Sequence, residues 1–175
     1  MDIYTIIAIF ISIDIILLIF YYNKFVSMRN KIDEAWSTID LQLHRRYELI
    51  ESLQEIIGNY SEEEKQYLDE IAEMKHIAIE ADDMKAQTEA ESKINLGLKK
   101  LFAFAQISEE IKNNKNFKDF QQKISEIEDE TQKAIRYYNA LVRDKNKMIE
   151  KVPNNLFAKL YNVSLSDYFN MQVSH

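Results

Sequence analysis

Hydrophobic and polar residues follow two regimes along this chain. Residues 3–22, IYTIIAIFISIDIILLIFYY, form an almost unbroken apolar run. Beyond it, apolar residues recur at steps of three and four, the spacing of one helix face. The first stripe is Phe25, Met28, Ile32, Trp36, Ile39, Leu43, Tyr47, Ile50, Leu53, Ile57 and Tyr60. It predicts a long helix continuous with the apolar run and stopped at Gly58-Asn59. Ser61 with Glu64 reads as a capping box and opens a second helix, with Leu68, Ile71, Met74 and either Ile77 or Ala78 facing inward. Residues 80–92 are polar and weakly patterned, so they read as a loop or an exposed helical turn. Apolar spacing resumes at Ile94, Leu98, Leu101, Phe102 and Ala105, and a polar connector is predicted over 108–116. Asn116 with Asp119 predicts the start of the last long helix. Its face is Phe117, Phe120, Ile124, Ile127, Thr131, Ala134, Tyr138, Leu141, Lys145 and Met148, a heptad seam in which only Thr131 and Lys145 are out of character. Pro153 ends it. The apolar residues of 156–161 and Tyr168-Phe169 are expected to fold back on the bundle.

About twenty helical residues reach roughly 30 Å, the thickness of a bilayer's hydrocarbon core. The run therefore predicts a retained transmembrane anchor from Ile3 to Tyr22. A cleaved signal peptide would need a basic start, a shorter core and a small-residue cleavage site. This chain has Asp2, a long core and Phe20-Tyr21-Tyr22 instead. Tyr4 and the Tyr21-Tyr22 pair stand where interfacial aromatics belong. Lys24, Arg29 and Lys31 follow the run and no basic residue precedes it, which predicts a cytoplasmic C-terminal domain at the cell membrane. Asp14, near mid-span, costs about 2.5–3.5 kcal/mol there. It reads either as tolerated in a strongly apolar helix, or as a polar contact between anchors or a proton-linked site.

Two glycines and one proline in 175 residues leave few turns, which favours long helices. The expected fold is all-α: a transmembrane helix (residues 1–23) followed by an antiparallel helical bundle with long, coiled-coil-like helices (residues 24–175). Several stripes of matching length exist in one chain, so they can bury each other, with oligomerisation through the seam left open. Without cysteine there is no disulfide, zinc knuckle or thiol nucleophile. A net charge of −7 speaks against nucleic acid, which needs a basic face. Two glycines cannot build a phosphate loop or a serine elbow.

Glu73 and His76 form half of a Glu-x-x-His di-metal motif, and no second half exists in the sequence. A carboxylate–histidine metal enzyme is thus the alternative reading, and the leading one has no catalytic residue, cofactor or metal. Arg45 and Arg46, with Arg136 beside Tyr137-Tyr138-Asn139, read in two ways. Each pairs with a nearby carboxylate, or together they form a ridge that binds an acidic partner or a lipid head group.

The segment EAWSTIDLQLHRRYELIESL, residues 34–53, resembles the Ala-Trp, Ile-Asp-x-Gln-Leu and Arg-Arg pattern of the LemA family. Gly58-Asn59-Tyr60, Ile111-Lys112, Asn114, Phe117, Arg136, Tyr138-Asn139, Val142, Pro153-Asn154-Asn155, Ala158-Lys159 and Tyr168-Phe169 are similar to its later positions. The chain departs from the family at Glu51-Ser52, where a proline is common, and at Ile107-Ser108, where Tyr-Pro is missing. Lys145-Asn146 replaces a Tyr-Asn, and Asn162 a glycine. The resemblance implies a membrane-anchored helical bundle of bacterial type. It implies no activity, and magnetosome membrane shaping by some relatives is an analogy only. The expected role is non-enzymatic: contact with the lipid bilayer through the anchor and with an unknown protein partner at the membrane surface.

Overall fold

The computed structural model describes residues 2–57 and 62–171. Among these the chain is all-α: α1 (Ile3–Ile57), α2 (Glu62–Ile79), α3 (Met84–Ile107), α4 (Glu109–Asn113), α5 (Lys115–Glu150) and α6 (Asn154–Leu160). The expected stop at Gly58-Asn59 and the capping box at Ser61 lie outside the described residues. The chain divides into two compact units. Met1–Ser37 and Arg136–Tyr168 form the first, Thr38–Ile135 and Phe169–His175 the second. Residues on both sides of the expected 23/24 boundary thus belong to the first unit, and α1 and α5 each contribute to both.

In the second unit, the α1 and α5 stretches run antiparallel. Asn114, just ahead of α5, reaches the Ile56 carbonyl at 3.4 Å, while Arg46 lies 3.7 Å from Glu128. Ile39, Leu43, Leu53, Ile71, Ile94, Leu98, Leu101, Phe117, Phe120 and Ile124 form the driest part of its core. The stripe of α2 resolves to Ala78, which is buried while Ile77 is exposed. α2 and α3 approach closely at Gly97, where an added Cβ would stand 2.6 Å from Ile71 Cγ1.

The weakly patterned stretch 80–92 splits into a short turn and the first turns of α3. Asp83, in extended conformation, caps the helix by accepting from the Ala86 amide at 2.7 Å. The start of α5 falls at Lys115, ahead of the expected position. Asn114 is the residue that caps, its Oδ1 accepting from the amides of Asn116 at 2.9 Å and Phe117 at 3.3 Å.

In the first unit, Phe25, Met148 and Ala158 form a small core, joined by Tyr21, Met28, Phe157 and Tyr161. Trp36 is half-buried, edge-on to Tyr138 with ring centroids 5.6 Å apart. The segment after α6 is pinned to α5 by a reciprocal amide pair. Asn146 Nδ2 donates to the Ser166 carbonyl, and the Ser166 amide donates to Asn146 Oδ1, both at 2.9 Å. Tyr138 adds a hydroxyl bond of 3.2 Å to the Asp167 carbonyl. α6 closes with the Val163 amide on the Ala158 carbonyl at 2.8 Å, and Asn162 takes φ 53°. That left-handed conformation suits glycine and asparagine, which accounts for asparagine at a position where the resembled family has glycine.

The apolar run stays largely bare, with Leu18 and Tyr21 partly covered near its end. An 18-residue window of α1 has mean hydropathy 2.7 with none of it buried, so the helix is long and apolar enough to cross a membrane. Ile3, Asp14 and Tyr22 all lie exposed along it.

Candidate functional site

Successive residues of α1, Arg46 and Tyr47, both turn inward in the second unit. On α3, Glu91 and Asn95 are four residues apart and share one helix face. The Arg46 guanidinium donates to Glu91 Oε2 at 2.9 Å and, through its other terminal nitrogen, to Asn95 Oδ1. Glu128 of α5 stands 3.7 Å from that nitrogen. The Tyr47 hydroxyl donates to the second oxygen of Glu91. The side chains of Arg46 and Glu91 are 1% and 0% exposed. Arg46 Nε has no hydrogen-bond partner among the described residues. Thr131, also buried, returns its hydroxyl to the Ile127 carbonyl at 2.7 Å.

Burial is the main force on this cluster. It pushes the Glu91 carboxyl upward, while the Arg46 charge and the Tyr47 hydroxyl hold it down. Burial, then the Glu91 charge and hydrogen bond, push the Tyr47 phenol far above its ordinary value. A paired carboxylate of this kind fixes one geometry between helices. Removing either partner leaves the other charge stranded.

These positions correct one expectation. Of the two readings of Arg46, pairing with a carboxylate is the one found, and the solvent-facing ridge is not, because the side chain is enclosed and bonded to Glu91. Arg45 and Arg136 are exposed, and they belong to different compact units. Glu73 is exposed, and His76 lies 3.2 Å from Glu80. Among the described residues no three His, Cys, Asp or Glu side chains gather as a metal-ligand set. Glu91, Asn95 and Tyr47 were not singled out from the sequence as a polar cluster. The available signal was weak: Glu91 and Asn95 stand next to the inward-facing Ala90 and Ile94.

A groove of about 490 Å³ opens in the first unit, just past the apolar run. Phe25, Ile32 and Tyr161 supply apolar wall, and Arg29, Asp33 and Lys145 supply charge. Lys145 donates to Ser166 Oγ at 2.6 Å. Burial, followed by the Arg29 charge, lowers its amine below the usual lysine value, with Asp33 opposing. The seam position that looked out of character is thus a half-buried amine at the edge of a groove. Such a groove has the chemistry to hold an amphipathic group with one net negative charge.

The family model described as LemA family matches residues 35–175. No curated protein matches the chain.

Proposed function

The chain belongs to the LemA family, and on that premise we propose that it is a non-enzymatic, single-pass membrane scaffold. Its helical units bind a protein partner or organise the membrane surface. The observation that carries this reading is the contrast within α1: no residue of the 18-residue apolar window is buried, while the stripe that continues it is buried. Roughly a dozen Ile, Leu and Phe residues in the run contribute about 0.3–0.6 kcal/mol each to insertion. The sum, about 4–8 kcal/mol, outweighs the about 2.5–3.5 kcal/mol that Asp14 costs. Lys24, Arg29 and Lys31 favour a cytoplasmic C-terminal side. Exposed Arg45 and Arg136 supply cationic contacts for an acidic protein partner, each within its own unit.

The test is crosslinking of the full chain in native membranes, followed by identification of captured proteins. Charge reversal at both positions, Arg45→Glu with Arg136→Glu, is expected to remove the captured partner without changing helicity or membrane retention. Unchanged recovery of every captured protein would refute the cationic contacts.

A further inference from the structure

We propose that α6 lies in the membrane interface, with Leu156 and Leu160 inserted at the boundary between head groups and acyl chains. The proposal rests on the membrane-anchored reading and adds a second point of contact. Tyr161, directly after α6, donates its hydroxyl to the Leu18 carbonyl at 2.7 Å. Leu18 lies one helical turn inside the end of the apolar run, about 6 Å along the axis at 1.5 Å per residue. Tyr21 stacks on Phe157 with centroids 4.1 Å apart, and Tyr22 and Phe25 meet Tyr161 edge-on at 5.5 and 6.4 Å. Ala158 is buried in the same core. α6 is thus clamped to the last turns of the span, at the depth where that span leaves the hydrocarbon.

Its other face explains itself at that depth. Leu156 and Leu160, four residues apart, are 63% and 65% exposed, and Val152 just before the helix is 78% exposed. In water this would be an unpartnered apolar patch. At the interface it is the buried face of a short amphipathic helix. Exposed Lys151 and Lys159 flank it and suit anionic head groups. Tyr161, with an apolar body and a polar tip, is the residue type enriched at this boundary. Seven residues are too few for a stable isolated helix, so the clamp on α1 is what presents the leucines to lipid.

The test uses the full chain reconstituted into phosphatidylcholine–phosphatidylglycerol vesicles. Trp36→Phe removes the only tryptophan, and Leu156→Trp or, separately, Leu160→Trp installs a probe. Nitroxide lipids labelled near the head group and deep in the chain quench it by depth, and carbonate extraction independently reports the span. The expected result is a carbonate-resistant protein whose probe emission is blue-shifted and quenched several-fold more by the shallow label. A carbonate-resistant protein with water-like, unquenched emission at both positions would overturn the interfacial helix while leaving the anchor standing. Blue-shifted but unquenched emission would show a protein surface, such as a second copy, covering the leucines, and would also overturn it. A protein released by carbonate would overturn both readings.

Discussion

Replacing Arg46 by methionine should be among the most damaging single changes in the second unit. The substitution keeps a long apolar stem and deletes the guanidinium that bonds Glu91 and Asn95. Glu91, with 0% side-chain exposure, then has only the Tyr47 hydroxyl among these bonds. A carboxylate left in that position either stays charged or takes up a proton. Neutralising an ordinary glutamate of pKa near 4.3 at pH 7 costs about 3.7 kcal/mol, at about 1.36 kcal/mol per unit. This caps the electrostatic part of the loss. Broken buried pairs cost about 3–5 kcal/mol, which agrees. The predicted loss is therefore about 3–4 kcal/mol at pH 7. The double variant Arg46→Met with Glu91→Leu removes both charges and should recover most of it, because apolar replacement of a whole buried pair is close to neutral. The assay is denaturant unfolding of the full chain in a mild detergent, followed by circular dichroism. A single variant within about 1 kcal/mol of the parent, below the usual range for broken buried pairs, would show that Glu91 does not depend on the Arg46 charge. So would a double variant no more stable than the single.

Gly97→Ala should destabilise by about 1–2 kcal/mol, since overpacking against Ile71 costs about 1–3 kcal/mol and better helix propensity returns up to about 1; a more stable variant in the same unfolding assay would contradict the close α2–α3 approach. Trp36→Ala should cost about 1.5–3 kcal/mol, less than a fully buried tryptophan, because the ring is half-exposed against Tyr138; emission of the folded parent at the wavelength of free indole would contradict that packing. Tyr47 is expected to shape the alkaline limb of stability. Its folded pKa is raised above the ordinary 10.0, so the folded state holds more protons above pH 10 and stability falls as pH rises through that value. Tyr47→Phe should flatten this fall in unfolding curves between pH 9 and 11, and an unchanged slope would count against it.

The apolar stripes were legible because three-and-four spacing is written in residue type alone. Ile39, Leu43 and Leu53 on α1, Ile71 on α2, Ile94 and Leu98 on α3, and Phe117 and Ile124 on α5 are all buried as their spacing requires. Residues 84–92 were harder to read because one face of that helix is polar by design of the cluster. Glu91 is buried for its bond to Arg46, not for its own hydrophobicity, and a hydrophobic pattern carries no sign of that. Arg46 was partly legible: it stands three residues after Leu43 and four before Ile50, on the inward stripe, whereas Arg45 does not. Spacing alone did not name Glu91 as its partner. Caps were partly legible: Asn114 acts in place of Asn116, a neighbour of the same chemistry. Lys145 shows the opposite case. It broke the seam in sequence, and the structure gives it a hydroxyl partner, Ser166, from a segment far along the chain.

Cysteine accessibility tests the proposed anchoring, in which the apolar run of α1 crosses a membrane and the rest of the chain faces the cytoplasm. The chain has no cysteine of its own, so Ser12→Cys within the run and Ser37→Cys beyond it each provide a single thiol. Both serines are exposed and bond their own helix, to the Ala8 carbonyl at 2.8 Å and the Asp33 carbonyl at 3.0 Å. With a membrane-impermeant maleimide, position 12 should stay unlabelled in intact and lysed cells and label only after denaturing detergent. Position 37 should label after lysis but not in intact cells. Labelling of position 12 in intact cells or in lysed membranes would contradict the span, and labelling of position 37 in intact cells would contradict its orientation.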